Sequence, residues 1–153
     1  REFLLKKKFP DFKKTQRDDL FSMETGLLNN KGRVHFEFTP CIDSQLEALR
    51  SLTKPEQLDQ ICKLIDTRIH QGYRIYPCNY IAFDRRFKTN RFEKEYTDAD
   101  IEKFETYIST QLEKVKKEVD FAITEEDHNY MLDMMLVMYS NPLYNKLSAT
   151  GTL

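Results

Sequence analysis

Six residues of this chain alternate strictly, and no other stretch does so as clearly. Across residues 33–38, Val34, Phe36 and Phe38 fall on one side and Arg33, His35 and Glu37 on the other. That is the period-two pattern of a half-buried strand. Thr39-Pro40 ends the run, because proline has no N–H to give a sheet ladder. A lone strand has no stability of its own. The chain offers only residues 73–76 as a second extended stretch, and that one is short. The expectation is therefore a mostly α-helical chain with one strand at about 33–38. That strand would complete the sheet of an α/β parent domain, the rest of which is supplied from outside residues 1–153.

Everything else reads as helix or connection. Residues 1–9 and about 17–28 carry apolar residues at helical spacing: Phe3, Leu4 and Leu5, then Leu20, Phe21, Met23, Leu27 and Leu28. Pro10 separates them, and Gly26 with Asn29-Asn30-Lys31-Gly32 breaks the second. Thr53 and Glu56 have capping-box spacing ahead of a helix from about 55 to 70. Its stripe is Leu58, Ile61, Cys62, Ile65 and Ile69, with Gly72 as the stop. Pro77 starts a short helix through Phe87. Thr97 caps a longer one whose buried face is Ile101, Phe104, Ile108, Leu112, Val115 and Val119. Thr124 and Asp127 mark the last helix, apolar almost all round from Tyr130 to Tyr139, and Asn141-Pro142 is expected to end it.

Charge and composition narrow the chemistry. The net charge is −1, which gives no pull toward nucleic acid. Residues 1–17 nevertheless hold seven bases against two acids, and residues 93–127 hold twelve acids against five bases. Lys6, Lys7, Lys8, Lys13, Lys14 and Arg17, interleaved with Phe3, Phe9 and Phe12, form the one candidate anion- or lipid-facing cluster. The ordinary alternative is a solvated helix face. Four glycines cannot build a P-loop, a GxGxxG or a GxSxG motif. His35, His70 and His128 are far apart, and no His/Cys set has zinc spacing, so no metal and no cofactor is expected. Cys41, Cys62 and Cys78 are odd in number and lack a CxxC, which suits reduced thiols in a cytoplasmic setting. No apolar run approaches the roughly 18–20 residues that span a bilayer.

Two strings resemble a bacterial branch of the glycerolipid (lysophosphatidic acid/glycerol-phosphate) acyltransferases. One is Asp18-Asp19-Leu20-Phe21-Ser22-Met23-Glu24-Thr25-Gly26-Leu27-Leu28, leading into Lys31-Gly32-Arg33-Val34-His35-Phe36-Glu37-Phe38. The other runs Ile69-His70-Gln71-Gly72-Tyr73-Arg74-Ile75-Tyr76-Pro77-Cys78-Asn79-Tyr80-Ile81-Ala82-Phe83-Asp84. Where the family usually turns through Gly-x-Pro-Ile, this chain has Thr39-Pro40-Cys41-Ile42. The resemblance implies that residues 1–87 are the C-terminal part of an acyltransferase domain and that 88–153 are a helical extension. It also implies transfer of a fatty acyl group from acyl-CoA or acyl carrier protein to a lysophospholipid acceptor. The expected setting is cytoplasmic, with peripheral contact at the inner membrane. The chain opens on Arg1, in a segment that reads as mid-domain, and the catalytic residues are expected upstream of it.

The family's catalytic HxxxxD pattern does occur once, as His128 to Asp133. There the histidine is the general base and the aspartate orients it. On a continuous helix, five residues turn through about 500°, leaving these side chains about 140° apart. They cannot hydrogen-bond to each other, and no Glu-Gly pair follows. No catalytic residue is therefore assigned, and the chain alone is expected to be inactive. The rival reading is a non-enzymatic helical interaction module built on the helices of residues 97–119 and 125–139.

Overall fold

The computed structural model describes residues 1–29 and 32–153. Among the described residues it is mostly helical: α1 (Glu2–Lys8), α2 (Gln16–Leu28), α3 (Asp43–Ala48), α4 (Lys54–Gly72), α5 (Pro77–Phe87), α6 (Asp98–Lys117) and α7 (Glu125–Thr150). A 3₁₀ turn covers Glu93–Glu95. Asn30 and Lys31 of the expected helix breaker lie outside the described residues. Two compact units partition the chain, one of residues 1–34 and 101–135 and one of 35–100 and 136–153. Both draw on residues from either side of position 87.

The expected strand is absent: none of the described residues is in a strand. The reason is the one that made a lone strand suspect, since no second extended segment supplies ladder partners. The alternating apolar side chains are left in solvent, with Val34, Phe36 and Phe38 exposed by 64%, 78% and 91%. Residues 73–76 are a connection rather than a strand, and the Tyr73 carbonyl accepts from Lys146 Nζ at 2.6 Å.

Helix starts follow the sequence closely. The same Thr-x-x-Asp/Glu device opens α2, α4, α6 and α7. Thr15 N donates to Asp18 at 3.0 Å, Thr53 N to Glu56 at 2.9 Å, Thr97 N to Asp100 at 3.0 Å and Thr124 N to Asp127 at 3.0 Å. In each case the side-chain carboxylate satisfies a backbone donor that the helix itself cannot. α3 was not expected. It has only six residues, and its N-cap, Ile42, makes no side-chain cap bond.

In the first unit, Leu4, Phe104, Ile108, Leu112 and Met131 are buried. Phe104, Ile108 and Leu112 repeat every four residues, so α6 buries the face its sequence predicts. Helix α2 behaves differently and has no buried residue. At 100° per residue its apolar side chains Leu20, Phe21, Met23, Leu27 and Leu28 fall in one sector of about 160°. Asp18, Asp19, Ser22 and Thr25 fall on the opposite side. That polar side holds the helix. Arg1 pairs with Asp18 at 2.7 Å, Lys14 bridges Asp19 at 2.8 Å and Glu2 at 3.1 Å, and Ser22 Oγ donates to Glu2 at 3.4 Å. The apolar side faces solvent, with Leu27 and Leu28 each 77% exposed.

In the second unit the core lies on α5 and the end of α7. Ile81, Ala82, Phe83 and Leu143 are buried, together with Asn79, Asp84 and Ser140. α7 does not stop at Pro142 but continues to Thr150. Proline removes one helical N–H. The loss is offset by clamps from α5 on the same turn: Asn79 Nδ2 donates to the Tyr139 carbonyl at 2.8 Å, and Arg86 donates to Ser140 Oγ and Asn141 Oδ1, both at 2.9 Å. The stripe on α4 is less covered than its periodicity implies, and Leu58, Ile65 and Ile69 are exposed. Gly72 lets the chain at Glu37 pass close, since a Cβ there would sit 2.6 Å from Glu37 Cγ.

Two stability predictions follow from this geometry. Asn79 also accepts from Tyr76 N at 2.9 Å, so Asn79→Ala removes a partner from two part-buried backbone groups. It should cost about 1–3 kcal/mol in chemical denaturation. Lys88 closes α5 in the left-handed region at φ 53°. Lys88→Gly should therefore stabilise the chain by about 0.5–1 kcal/mol, seen as a higher Tm.

Candidate functional site

The basic cluster is the first candidate. Lys6, Lys7 and Lys8 form the last turn of α1, where cations complement the exposed carbonyls. Lys7 Nζ lies 2.8 Å from Glu126 and over the Tyr130 ring. Lys8 Nζ lies 2.7 Å from Asp127 and over the Phe121 ring, and Phe121 also meets Phe9 edge-on. Lys14 is taken up by Glu2 and Asp19. Three of the six cations are thus neutralised by carboxylates of their own unit. Lys6, Lys13 and Arg17 are exposed and make no ion pair among the described residues. The structure therefore divides the cluster into a latch of Lys7 and Lys8 on the start of α7, Lys14 bridging α1 and α2, and three open charges.

The latch is reflected in its titration. Asp127 is held down to about 2 from the usual 3.8, first by the Lys8 ammonium and then by the Thr124 backbone N–H. Asp18 falls to about 2 as well, chiefly through Thr15, with Arg1 contributing. The Lys7 ammonium is pushed up by its bond to Glu126. A depressed carboxyl contributes stability that is present above its ordinary pKa and lost as pH falls through the folded value. A raised ammonium contributes below its ordinary pKa and loses it only on the far alkaline side. The first unit should hold from about pH 4 through neutrality and loosen between about pH 4 and 2. Helical circular dichroism against pH should show this, and Asp127→Asn should flatten the acid limb.

The HxxxxD match lies on α7, in the first unit. His128 is half-buried and Asp133 is exposed on the same continuous helix. No hydrogen bond joins them among the described residues. On that helix the two side chains lie about 140° apart. His35 lies 3.3 Å from Glu37, and the His70 ring packs at 5.4 Å from Tyr73. Tyr80 meets Phe92 at 5.2 Å, and Tyr76 lies under Arg74.

One buried polar centre escaped the sequence reading. Asp84, near the C-terminal end of α5, is 4% exposed. It accepts from Thr89 Oγ1 at 2.8 Å, Phe92 N at 3.0 Å and Tyr96 Oη at 3.1 Å. The Tyr96 hydroxyl is pushed up, first by burial and then by that carboxylate. Asp84 ties down the connection between α5 and α6, so its acceptor capacity is spent on structure. Its neighbour Phe83 packs on Phe87 and Phe92. The only sequence signal for Asp84 was an acid set inside an apolar helical face.

A cleft of about 310 Å³ lies between residues 39–42 and the side chains of Ile65, Arg68 and Ile69 on α4. Cys41 and Ile42 line it on the opposite side. Among the described residues no group of three or more His, Cys, Asp or Glu side chains can hold a metal ion. No helix among them is long and apolar enough to cross a membrane. Comparison with known protein families, curated proteins and solved structures finds no match.

Proposed function

We propose that this chain is part of a glycerolipid acyltransferase, serving the reaction without supplying its catalytic residues. The observation that carries the reading is the pair of apolar surfaces left uncovered in the stretch that bears the first acyltransferase-like string. In the parent domain the outward side of α2 and the alternating Val34, Phe36 and Phe38, all exposed here, would be the inner surfaces of a helix-then-strand unit. In an α/β domain the helix lays such a face on the sheet, and the strand finds ladder partners there. Residues 33–38 would take up their strand in that setting. The acyl donor is an acyl thioester of coenzyme A or of acyl carrier protein, and the acceptor is a lysophospholipid. Lys6, Lys13 and Arg17 remain open for an anionic membrane surface.

The same uncovered surfaces favour a second reading, a non-enzymatic helical module that docks a protein partner. Activity separates the two. The natural protein that contains this chain, purified and given acyl thioester and lysophosphatidate, should form the diacyl product. Phe36→Asp should lower that activity by more than tenfold, while residues 1–153 alone should show none. Absence of acyl transfer by the natural protein to any lysophospholipid would favour the module. Transfer by residues 1–153 alone, lost on His128→Ala, would restore the HxxxxD match and overturn the claim that catalysis lies elsewhere.

A further inference from the structure

The cleft beside α4 combines an apolar wall with one cation. Pro40, Ile42, Ile65 and Ile69 supply the wall, and no acidic side chain lines it. Arg68, half-buried at its edge, has no ion-pair partner among the described residues. On the same helix Lys63 pairs with Asp59 at 2.7 Å, whereas Arg68 pairs with no acid among the described residues. A guanidinium without an ion-pair partner, set beside branched aliphatic side chains, is matched by an anion that carries an apolar tail. Its fixed fork suits a carboxylate, which it can hold through two parallel bonds.

Volume sets the size of that ligand. The cleft offers about 310 Å³. That is the lower end of small-molecule sites and too small for a cofactor or a diacyl lipid. We propose that this cleft binds a free medium-chain aliphatic carboxylate, with Arg68 taking the carboxylate and Ile42, Ile65 and Ile69 taking the chain. Nothing in this assignment requires the acyl-transfer reading: a free carboxylate is neither thioester donor nor lysophospholipid acceptor.

The cysteines report on occupancy. Cys41 lines the cleft and is exposed, whereas Cys62 is exposed on α4 outside the lining. Cys78 is half-buried, and burial pushes its thiol up, so it reacts last. The experiment measures alkylation rates of the individual thiols in the full chain, by mass spectrometry, with decanoate or decanol as probe. Decanoate should slow alkylation of Cys41 and leave Cys62 unchanged, and decanol should protect much less. Arg68→Gln should weaken decanoate protection by roughly tenfold, and Arg68→Lys should restore part of it. Circular dichroism of both variants establishes that α4 is intact. No protection by decanoate up to its solubility limit overturns the proposal. So does equal protection by decanol with no effect of Arg68→Gln, or equal slowing of Cys41 and Cys62.

Discussion

Helix α2 is attached by its polar side. Asp18 is the centre of that attachment, capping the helix through Thr15 and accepting Arg1 on its other oxygen. Asp19 and Glu2 share Lys14. Ion pairs of this kind contribute little individually when exposed, but here their direction matters more than their strength. They turn five large apolar side chains away from the unit that holds the helix. A helix normally does the reverse, because apolar burial outweighs surface charge pairing by a wide margin. The arrangement is consistent with a helix whose apolar side has another surface to meet, and the functional reading depends on it.

Against that open region, the well-packed part of the molecule is small. In one unit it is a line of residues on α6 with Leu4 and Met131. In the other it is a single turn and a half of α5, Asn79 to Asp84, meeting α7 around Ser140 and Leu143. Polar side chains organise the second core as much as apolar ones do. Asn79 and Arg86 fasten the turn of α7 that precedes and includes Pro142, and Asp84 gathers three donors from the connection to α6. Buried polar groups with every partner present add geometric definition as well as stability. No buried side-chain donor or acceptor among the described residues lacks a partner.

Helix existence was legible in the sequence because its signals are local. The starts at Thr53, Thr97 and Thr124 and the apolar repeat of α6 involve neighbours in the chain, and they appear in the structure where the sequence places them; the box at Thr15 was not read. What failed depended on distant partners. The strand at 33–38 needs a second strand, and periodicity cannot say whether one exists. The stop at Pro142 was overridden by side chains sixty residues earlier. Asp84 was missed for the same reason, since its donors come from a connection whose path the sequence does not reveal. The basic cluster was visible as composition. Its division into latch and open charges was not, because Glu126 and Asp127 lie more than a hundred residues away in sequence.

The proposed function places residues 33–38 and the outer side of α2 in the interior of a larger α/β domain. Hydrogen exchange at the amides of 33–38 tests it most directly, measured in residues 1–153 alone and in the natural protein that contains them. Exchange reports whether each N–H has a stable partner. The account predicts rapid exchange in the chain alone and strong protection in the natural protein, as strand bonds form and Val34, Phe36 and Phe38 are covered. Rapid exchange in both would contradict it, and the apolar surfaces would then have to be explained without a sheet.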